Sequence, residues 1–374
     1  MESSIDRFTL TAGQLKSAAK KINVFAGMDG FVDEIFHVVD KRANFVDFSR
    51  VQTISNFGER VLGAAGLSSN IELVSAQTKL GGNGPIFSNA INEFGASVVY
   101  AGCLGKPSLH PVFKDFSEKC EVYSICEPGY TDALEFNDGK IMLGKHKSLS
   151  QVNWDTFKRA MGGTKNIADK INNSHLIAMA NWTMLPFMSE IWEGLINEVF
   201  PLLHERETKP IAFFDLADPE KRTTQDLFNA LKLISSFESN FQTILGLNEK
   251  EAWQVVNALN IQINTHNNES AALADLIGKI YEHMDIYCVV VHPVKCAAAQ
   301  TENGFFYTDG VFCEKPLLTT GAGDNFNAGF CYAMAIGLDA AASLVAGVST
   351  SGFYVRNAVS PTLNDLCKFM EEWK

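Results

Sequence analysis

Runs of consecutive apolar residues recur along this chain and are separated by stretches with helical periodicity. The first of these runs, Val24–Met28, carries no polar residue at alternate positions. Such uninterrupted strands are typical of a sheet that is buried on both faces, and strands that alternate with helices predict parallel pairing. The same pattern predicts further core strands at residues 98–105, 175–182, 210–216, 241–247 and 286–291.

Three other segments have the pattern of antiparallel hairpins. Apolar and charged residues alternate over 31–50, which predicts a strand, a turn and a second strand. Residues 131–147 contain an Asn-Asp-Gly turn at 137–139, a sequence that favours a hairpin. Residues 301–310 predict a further hairpin at an edge of the sheet.

Length and composition fit one α/β domain over residues 1–374. Of the 374 residues, 46% are hydrophobic and 20% are charged, and this length accommodates one large core with an insertion. Residues 1–22 are interpreted as an N-terminal helical extension, with a helix over 11–21 that Thr11 would cap.

Charge and cysteine content argue against several classes of protein. The formal net charge of −12 disfavours a nucleic-acid partner and an anionic membrane surface. No apolar run has the length of a membrane span, and the first residues lack the pattern of a signal peptide. The eight cysteines include no Cys-x-x-Cys pair, so we expect free thiols in a reducing cytoplasm.

The strongest candidate for a functional site is the stretch 318–330. Its sequence is Leu-Thr-Thr-Gly-Ala-Gly-Asp-Asn-Phe-Asn-Ala-Gly-Phe. An apolar run over 326–336 with the spacing of a buried helix face follows the small residues 321–323, which therefore lie where a loop becomes a helix. Their uncovered N–H groups, with the positive end of the helix dipole, form an anion site. Asp324 lies in the first turn, where a carboxylate is suited to accept a hydroxyl proton during phosphoryl transfer. An ordinary helix start is the alternative interpretation.

A second loop with adjacent glycines opens another predicted helix. Gly81 and Gly82 let the backbone approach a ligand closely, and Asn83 follows them. The first strand ends at Asp29, with Asp33 four residues later. Because ligands of open α/β sheets bind at the carboxyl ends of strands, either carboxylate is placed to accept hydrogen bonds from the hydroxyl groups of a ligand. Asp29 fits this role best and Asp33 second, and both also fit a simple turn.

The two loops resemble the paired signatures of the ribokinase-like (PfkB) family of sugar and nucleoside kinases. Thr319 to Asp324 matches Thr-x-Gly-Ala-Gly-Asp of the family's Asp-Thr-x-Gly-Ala-Gly-Asp motif, and Gly81 to Gly95 matches its Gly-Gly loop and the following helix. The resemblance covers about Val24 to Phe369. It implies a three-layer α/β/α sandwich with a mostly parallel central sheet and a small β-strand lid, inserted at about 31–56 and 125–148.

The resemblance also implies roles for the residues of the two loops. Asp324 would be the general base, and its pKa could keep an ordinary carboxylate value because a loose transition state needs little early deprotonation. The transferred charge would be held by the N–H groups of Gly321, Ala322 and Gly323. The residues that would contact the sugar are Asp29, Asp33, Gly82 and Asn83.

The nucleotide side of the site is predicted from the ends of later strands. Asn248 and Glu251 follow the strand over 241–247, with the spacing of a helical capping box. The family's Asn-x-x-Glu motif at this place would organise Mg²⁺ through water near the phosphates of ATP, and both interpretations can hold together. Thr320 and His292 would also face the nucleotide, although a structural histidine is the alternative for His292.

Three positions depart from the family pattern. Leu318 replaces the leading Asp of the signature, so the resemblance does not imply activation by a monovalent cation. Ile86 stands where many members carry Asn. The segment that begins at His292 lacks the Thr and both glycines of the family's Thr-x-Gly-x-x-Gly. These departures leave the sugar and the phosphoryl donor open.

The expected activity is ATP-dependent phosphorylation of a hydroxyl on a sugar or sugar derivative, in the cytoplasm and with Mg²⁺. A nucleoside kinase uses the same constellation, and an ADP-dependent sugar kinase belongs to a related group. A non-catalytic homologue that binds a sugar or nucleotide would also fit the three departures. Because many relatives pair through their lids, a homodimer is one candidate arrangement.

Overall fold

The computed structural model describes residues 4–266 and 268–373, and strands and helices alternate along them as the apolar pattern predicted. No helix in these ranges has both the length and the hydropathy of a membrane span. The strands are β1 (Asn23–Met28), β2 (Phe31–Arg42), β3 (Phe48–Arg50), β4 (Leu73–Gly81), β5 (Ser97–Gly102), β6 (Glu121–Ser124), β7 (Gly129–Phe136), β8 (Gly139–Lys145), β9 (Leu176–Ala180), β10 (Ile211–Asp215), β11 (Gln242–Leu247), β12 (Cys288–Val291), β13 (Cys296–Thr301) and β14 (Gly304–Asp309). The helices are α1 (Ser4–Ala18), α2 (Ile54–Leu62), α3 (Asn83–Glu93), α4 (Lys114–Lys119), α5 (Trp154–Ala160), α6 (Thr164–Asn172), α7 (Met188–Gly194), α8 (Thr224–Ser236), α9 (Glu249–Ala258), α10 (Glu269–Met284), α11 (Ala322–Ala335), α12 (Ala340–Asn357) and α13 (Leu363–Glu372).

The central sheet has the strand order β14-β13-β12-β11-β10-β9-β1-β5-β6. Its strands from β12 to β6 in this order pair in parallel, and β13 and β14 close one edge as an antiparallel hairpin. The six predicted core strands are all present. An edge hairpin is present as well, but its first strand, Cys296–Thr301, precedes most of the predicted range 301–310.

Helices cover both faces of this sheet. Successive residues of β1 point in opposite directions, so Phe25 packs into one apolar cluster while Val24 and Ala26 pack into the other. Helices α5 to α10 contribute to the cluster that contains Phe25, and α1, α3, α4 and α11 to α13 contribute to the other. The predicted three-layer α/β/α sandwich is confirmed.

The lid is a five-stranded sheet in which β3, β2, β7 and β8 are adjacent in that order and β4 also pairs with β2. One face carries α2, which packs Ile54 and Phe57 against Val38 and Leu134. Sequence analysis assigned neither α2 nor β4 to the lid. The middle of β4 is exposed, and its sequence has no regular apolar alternation that would mark it as a strand.

The N-terminal helix was predicted over 11–21, but α1 runs from Ser4 to Ala18. Thr11 is therefore a buried residue inside the helix and not its cap. The physical reason is that the buried face begins earlier, since Phe8, Ala12 and Leu15 lie on one side of the helix and pack with α13.

The parallel strands place polar residues along one edge of the central sheet. Asp29 follows β1, Asn181 follows β9, and Asp215 is the last residue of β10. Asn248 and His292 follow β11 and β12. The chain adds strands outward from β1 in one direction and then from β9 in the other, and ligands of open α/β sheets bind at such a switch point.

Candidate active site

The signature loop (residues 318–324) enters α11 through a left-handed residue. Gly321 has φ +90° at the N-cap, where a side chain would be strained, and a Cβ there would lie 2.9 Å from the hydroxyl of Tyr354. The Ala322 N–H donates to the Thr319 carbonyl at 3.1 Å. The N–H groups of Gly321 and Gly323 meet no acceptor in the part of the chain that the structure describes. Two backbone donors at the positive end of α11 are therefore unpaired among the described residues, and the third would have to exchange its partner to join them.

Asp324 lies in the first turn of α11, as predicted, and is 7% exposed. Its Oδ1 accepts a hydrogen bond from Asn83 Nδ2 at 2.9 Å. Burial raises the pKa of the Asp324 carboxyl to about 8, and the charges of Asp29 and Glu251 also raise it, whereas the Asn83 bond lowers it. The expected ordinary pKa is therefore wrong, because burial depends on the packing of segments far apart in the chain. A carboxyl that titrates near neutral pH is suited to act as a general base.

Asp29 holds the start of α3. Its carboxylate accepts the N–H groups of Asn83 (3.0 Å) and Gly84 (2.9 Å), two donors that the helix itself leaves unpaired. Asn181 Nδ2 also donates to it at 2.7 Å, and the hydroxyl of Tyr100 is shared between Oδ1 (3.3 Å) and the Asp29 backbone carbonyl (2.9 Å). Burial raises the pKa of Asp29 to about 6, and these bonds lower it. With four donors on two oxygens and no exposed surface, the carboxylate has little capacity left for a ligand hydroxyl.

Asp33 lies on the lid, in a cross-strand row with Lys79 of β4 and Thr131 of β7. Burial raises the pKa of Asp33, whereas a hydrogen bond with Thr131 and the charge of Lys79 lower it. Gly81 leaves the space that the Asp33 carboxylate occupies, since a Cβ on Gly81 would lie 2.3 Å from a carboxylate oxygen. Unlike Asp29, Asp33 borders a cleft.

This lid cleft has a volume of about 540 Å³ and reaches the signature loop. Asp33 and Lys79 line it from the lid, and Ile86, Leu318 and Thr320 line it from the other side. Two of the three departures from the family pattern, Ile86 and Leu318, therefore share one cleft. Thr320 lies here, although the sequence analysis placed it with the nucleotide.

Asn248 and Glu251 form the predicted capping box of α9. Asn248 Oδ1 accepts the Glu251 N–H at 3.0 Å, and Glu251 Oε2 accepts the Asn248 N–H at 2.8 Å. Glu251 Oε1 accepts the Asp218 N–H at 2.9 Å. Burial raises the pKa of Glu251, and the two backbone bonds lower it. The structural role is thus confirmed, and Asn248 also borders a second cleft.

This second cleft, the α12 cleft, has a volume of about 430 Å³. His292 forms part of its wall, with its ring 4.7 Å from that of Phe326 and its Cε1 3.3 Å from the position of a Cβ on Gly323. Burial lowers the pKa of His292 to about 4, so the ring is neutral at neutral pH. Thr319, and not Thr320, lines this cleft. Its apolar lining includes Pro293, Val294, Val311, Phe312, Val348 and Val355.

Three buried polar residues that the sequence analysis did not single out complete the site: Asn181, Asp215 and Asn327. Asp215 Oδ2 accepts a hydrogen bond from Asn327 Nδ2 at 2.8 Å. Burial raises the pKa of Asp215, and so do the charges of Glu251 and Asp324. Both Asn181 and Asp215 lie at the carboxyl ends of apolar strands, so the rule that selected Asp29 would have found them.

The arrangement combines an anion site, a buried carboxyl beside it and further carboxylates at neighbouring strand ends. The described residues contain no group of three His, Cys, Asp or Glu side chains placed to hold a metal ion. A divalent cation here would therefore take water molecules or ligand phosphates among its ligands, which suits Mg²⁺. This chemistry supports transfer of an anionic group to a hydroxyl.

Comparisons with known proteins agree with this geometry. The sequence model of the family Khk, prokaryotic ketohexokinase, matches residues 6–373. Ketohexokinase from Haloferax volcanii is 26% identical over 348 residues, which cover 92% of this chain and 90% of that protein. Ribokinase from Arabidopsis thaliana, solved with ribose and ATP, has a TM-score of 0.63 at 13% identity and covers 95% of this chain and 99% of its own. A putative ribokinase II from E. coli, solved with ATP and Mg²⁺, has a TM-score of 0.61 at 13% identity, over 95% of this chain and 100% of its own. The chain therefore belongs to the prokaryotic ketohexokinase family, among the ribokinase-like carbohydrate kinases.

Proposed function

We propose that this protein transfers the γ-phosphoryl group of ATP to a hydroxyl of a ketohexose. The observation that carries the proposal is the position of Asp324, a buried carboxyl beside N–H groups that are unpaired among the described residues at the start of α11. Family membership and the name of the Haloferax volcanii relative support a ketohexose as acceptor.

In this reaction Asp324 accepts the hydroxyl proton. The hydroxyl oxygen forms a bond to the γ-phosphorus as the bond to the bridging oxygen of ADP breaks. The N–H groups of Gly321 and Gly323 stabilise charge on the transferred group, joined by Ala322 once its bond to Thr319 has exchanged. Because the transition state is loose, positioning and charge stabilisation supply most of the rate enhancement. The lid excludes water as a competing acceptor.

On the acceptor side we assign hydroxyl binding to Asp33, the Gly82 backbone and Asn83. Asp33 borders the lid cleft, and Gly82, with φ +102°, caps the helix that presents Asn83. Asp29, the first choice from the sequence, is instead assigned a positioning role. It fixes the backbone of Asn83, whose side chain in turn holds Asp324.

On the donor side we assign ATP to the α12 cleft, with His292 and Thr319 as part of the wall and Mg²⁺ held through water by Asn248 and Glu251. Thr320, which the sequence pattern assigned to the nucleotide, lies in the lid cleft instead. The site fits a cation because Asp215 and Glu251 are buried carboxyls whose mutual charge raises the pKa of Asp215. When bound, Mg²⁺ neutralises charge on the phosphates. Activation by a monovalent cation is not part of the proposal, since Leu318 supplies no side-chain oxygen at the first signature position.

The test is ADP release from ATP and Mg²⁺ over a panel of ketohexoses, aldohexoses, pentoses, sugar phosphates and nucleosides, with Asp324→Asn as the matched variant. We expect a ketohexose to give turnover that the variant lowers at least about a hundredfold, as for loss of a general base. A nucleoside as the best acceptor, or ADP as the better donor, would replace the proposal with the corresponding kinase. No turnover with either donor would indicate a binding protein.

Two further assignments belong to this proposal. The eight cysteines are all free thiols, which supports residence in the reducing cytoplasm. The lid face opposite α2 carries Ile35, Ala133 and Met142 in one cross-strand row. Ile35 and Ala133 are buried, whereas Met142 on the edge strand β8 is 48% exposed. We assign a homodimer contact to this face.

A further inference from the structure

The signature loop is tied to α12 through one peptide unit. Tyr354 of α12 donates its hydroxyl to the Thr320 carbonyl at 2.8 Å and is itself 8% exposed. The Thr320 carbonyl and the Gly321 N–H belong to the same planar peptide, so they point in opposite directions. The bond from Tyr354 therefore fixes the direction of the Gly321 N–H, one of the two donors that are unpaired among the described residues.

The next peptide unit is held from another side. Asn325, which is fully buried, donates from Nδ2 to the Gly321 carbonyl at 2.9 Å. This carbonyl shares a peptide plane with the Ala322 N–H, the third donor of the anion site. Asn325 Oδ1 accepts a hydrogen bond from Ser360 Oγ at 2.8 Å, which fixes the amide orientation from the segment after α12. Consecutive peptide planes are thus each held by a side chain.

We propose that Tyr354, Asn325 and Ser360 are positioning residues that orient the N–H groups of the signature loop toward the transferred phosphoryl group. The inference rests on the proposed kinase activity. Donors that are already oriented where charge develops stabilise a transition state without reorganisation. Loss of the orientation should therefore lower turnover more than it weakens binding of the sugar.

The test compares Tyr354→Phe with Tyr332→Phe. Both variants lose only a hydroxyl from a tyrosine, but that of Tyr332 bonds the Lys20 carbonyl at 3.4 Å and not the loop. We expect Tyr354→Phe to lower kcat about tenfold or more, with the sugar KM and the Tm within the range of Tyr332→Phe. Ser360→Ala, which removes the hydrogen bond to Asn325, should lower kcat in the same way. A kcat within twofold of the wild type in both single variants would overturn the proposal, as would a loss of kcat that is matched by a loss of stability.

Hydrogen exchange of peptides covering 317–325 separates this proposal from the proposed function. We expect faster exchange in Tyr354→Phe and Ser360→Ala than in Tyr332→Phe, whether or not a sugar is phosphorylated. If the wild type phosphorylates no sugar but the two variants still exchange faster, the positioning role of Tyr354 and Ser360 is supported and the kinase assignment fails. Unchanged exchange would overturn the proposed positioning role even if the wild type phosphorylates a ketohexose.

Discussion

Buried carboxyl groups dominate the chemistry of individual residues in this site. The pKa of Asp29 is raised to about 6 and that of Asp324 to about 8, both above the ordinary value of 3.8. The native state therefore favours the protonated forms. Their contribution to stability is fully present below about pH 4 and is lost as the pH rises through 6 and then 8. The active form of the proposed base is thus the form that destabilises the fold.

Replacement of Asp324 by Asn should therefore stabilise the protein while it abolishes turnover. Asn keeps an oxygen for the Asn83 bond and removes the buried charge. We expect the free energy of unfolding at pH 8.5 to rise by on the order of 1–3 kcal/mol. The gain should be smaller at pH 5.5 and should vanish only below about pH 4, where the carboxyl is protonated in the unfolded chain as well.

Thermal unfolding of wild type and variant across this pH range checks the prediction. Asp169→Asn, an exposed aspartate on α6, provides the control. An equal gain for Asp324→Asn at pH 5.5 and pH 8.5 would show that the carboxyl does not titrate as assigned.

Asn83 should set the pH dependence of the reaction through its bond to Asp324. The reaction needs the deprotonated carboxyl, so kcat/KM should rise with pH and level off above about 8. Because the Asn83 bond lowers the pKa of Asp324, Asn83→Ala should move the rising limb to higher pH. Initial rates from pH 6 to 10 measure the rising part of the pH–rate profile. If it stays in place or moves to lower pH in Asn83→Ala, Asn83 does not set the pKa of Asp324.

At the scale of elements, the lid depends on close approach between β4 and β2. A Cβ on Gly81 would lie 2.3 Å from the Asp33 carboxylate, whereas a Cβ on Gly58 of α2 would meet nothing within 4 Å. We expect Gly81→Ala to displace Asp33 and raise the sugar KM about tenfold or more, which is roughly the loss of one hydrogen bond to a charged group.

Gly58→Ala is the matched control. It adds the same methyl group to α2 of the same lid, where alanine favours the helical conformation. Steady-state kinetics of both variants give the sugar KM. Equal values for both variants would mean that Asp33 does not contact the sugar.

At the scale of the whole molecule, the proposed homodimer contact on the lid can be tested. The face opposite α2 exposes Met142, and a charge there would disrupt an apolar interface. We expect the wild type to sediment as a dimer and Met142→Glu as a monomer. Leu202→Glu, at a comparably exposed site (45%) on the central domain, should leave the dimer intact. A monomeric wild type would contradict the assignment.

The sequence by itself determined the layered fold, because each core strand is an apolar run long enough to be recognised locally. It also determined the signature loop and the capping box of Asn248 and Glu251, since both depend on neighbouring residues. The lid strand β4 escaped recognition because its middle is exposed and its sequence lacks alternation.

Only the tertiary structure decided the surroundings of each predicted residue. The sequence pattern ranked Asp29 before Asp33 as the sugar-binding carboxylate, but four donors surround Asp29 while Asp33 borders the lid cleft. The bond between Asn83 and Asp324 connects residues that are 241 positions apart in the chain. The pKa of Asp324 is raised mainly by burial, which also depends on distant segments. Burial and long-range hydrogen bonds are properties of packed segments, so no local pattern in the chain specifies them.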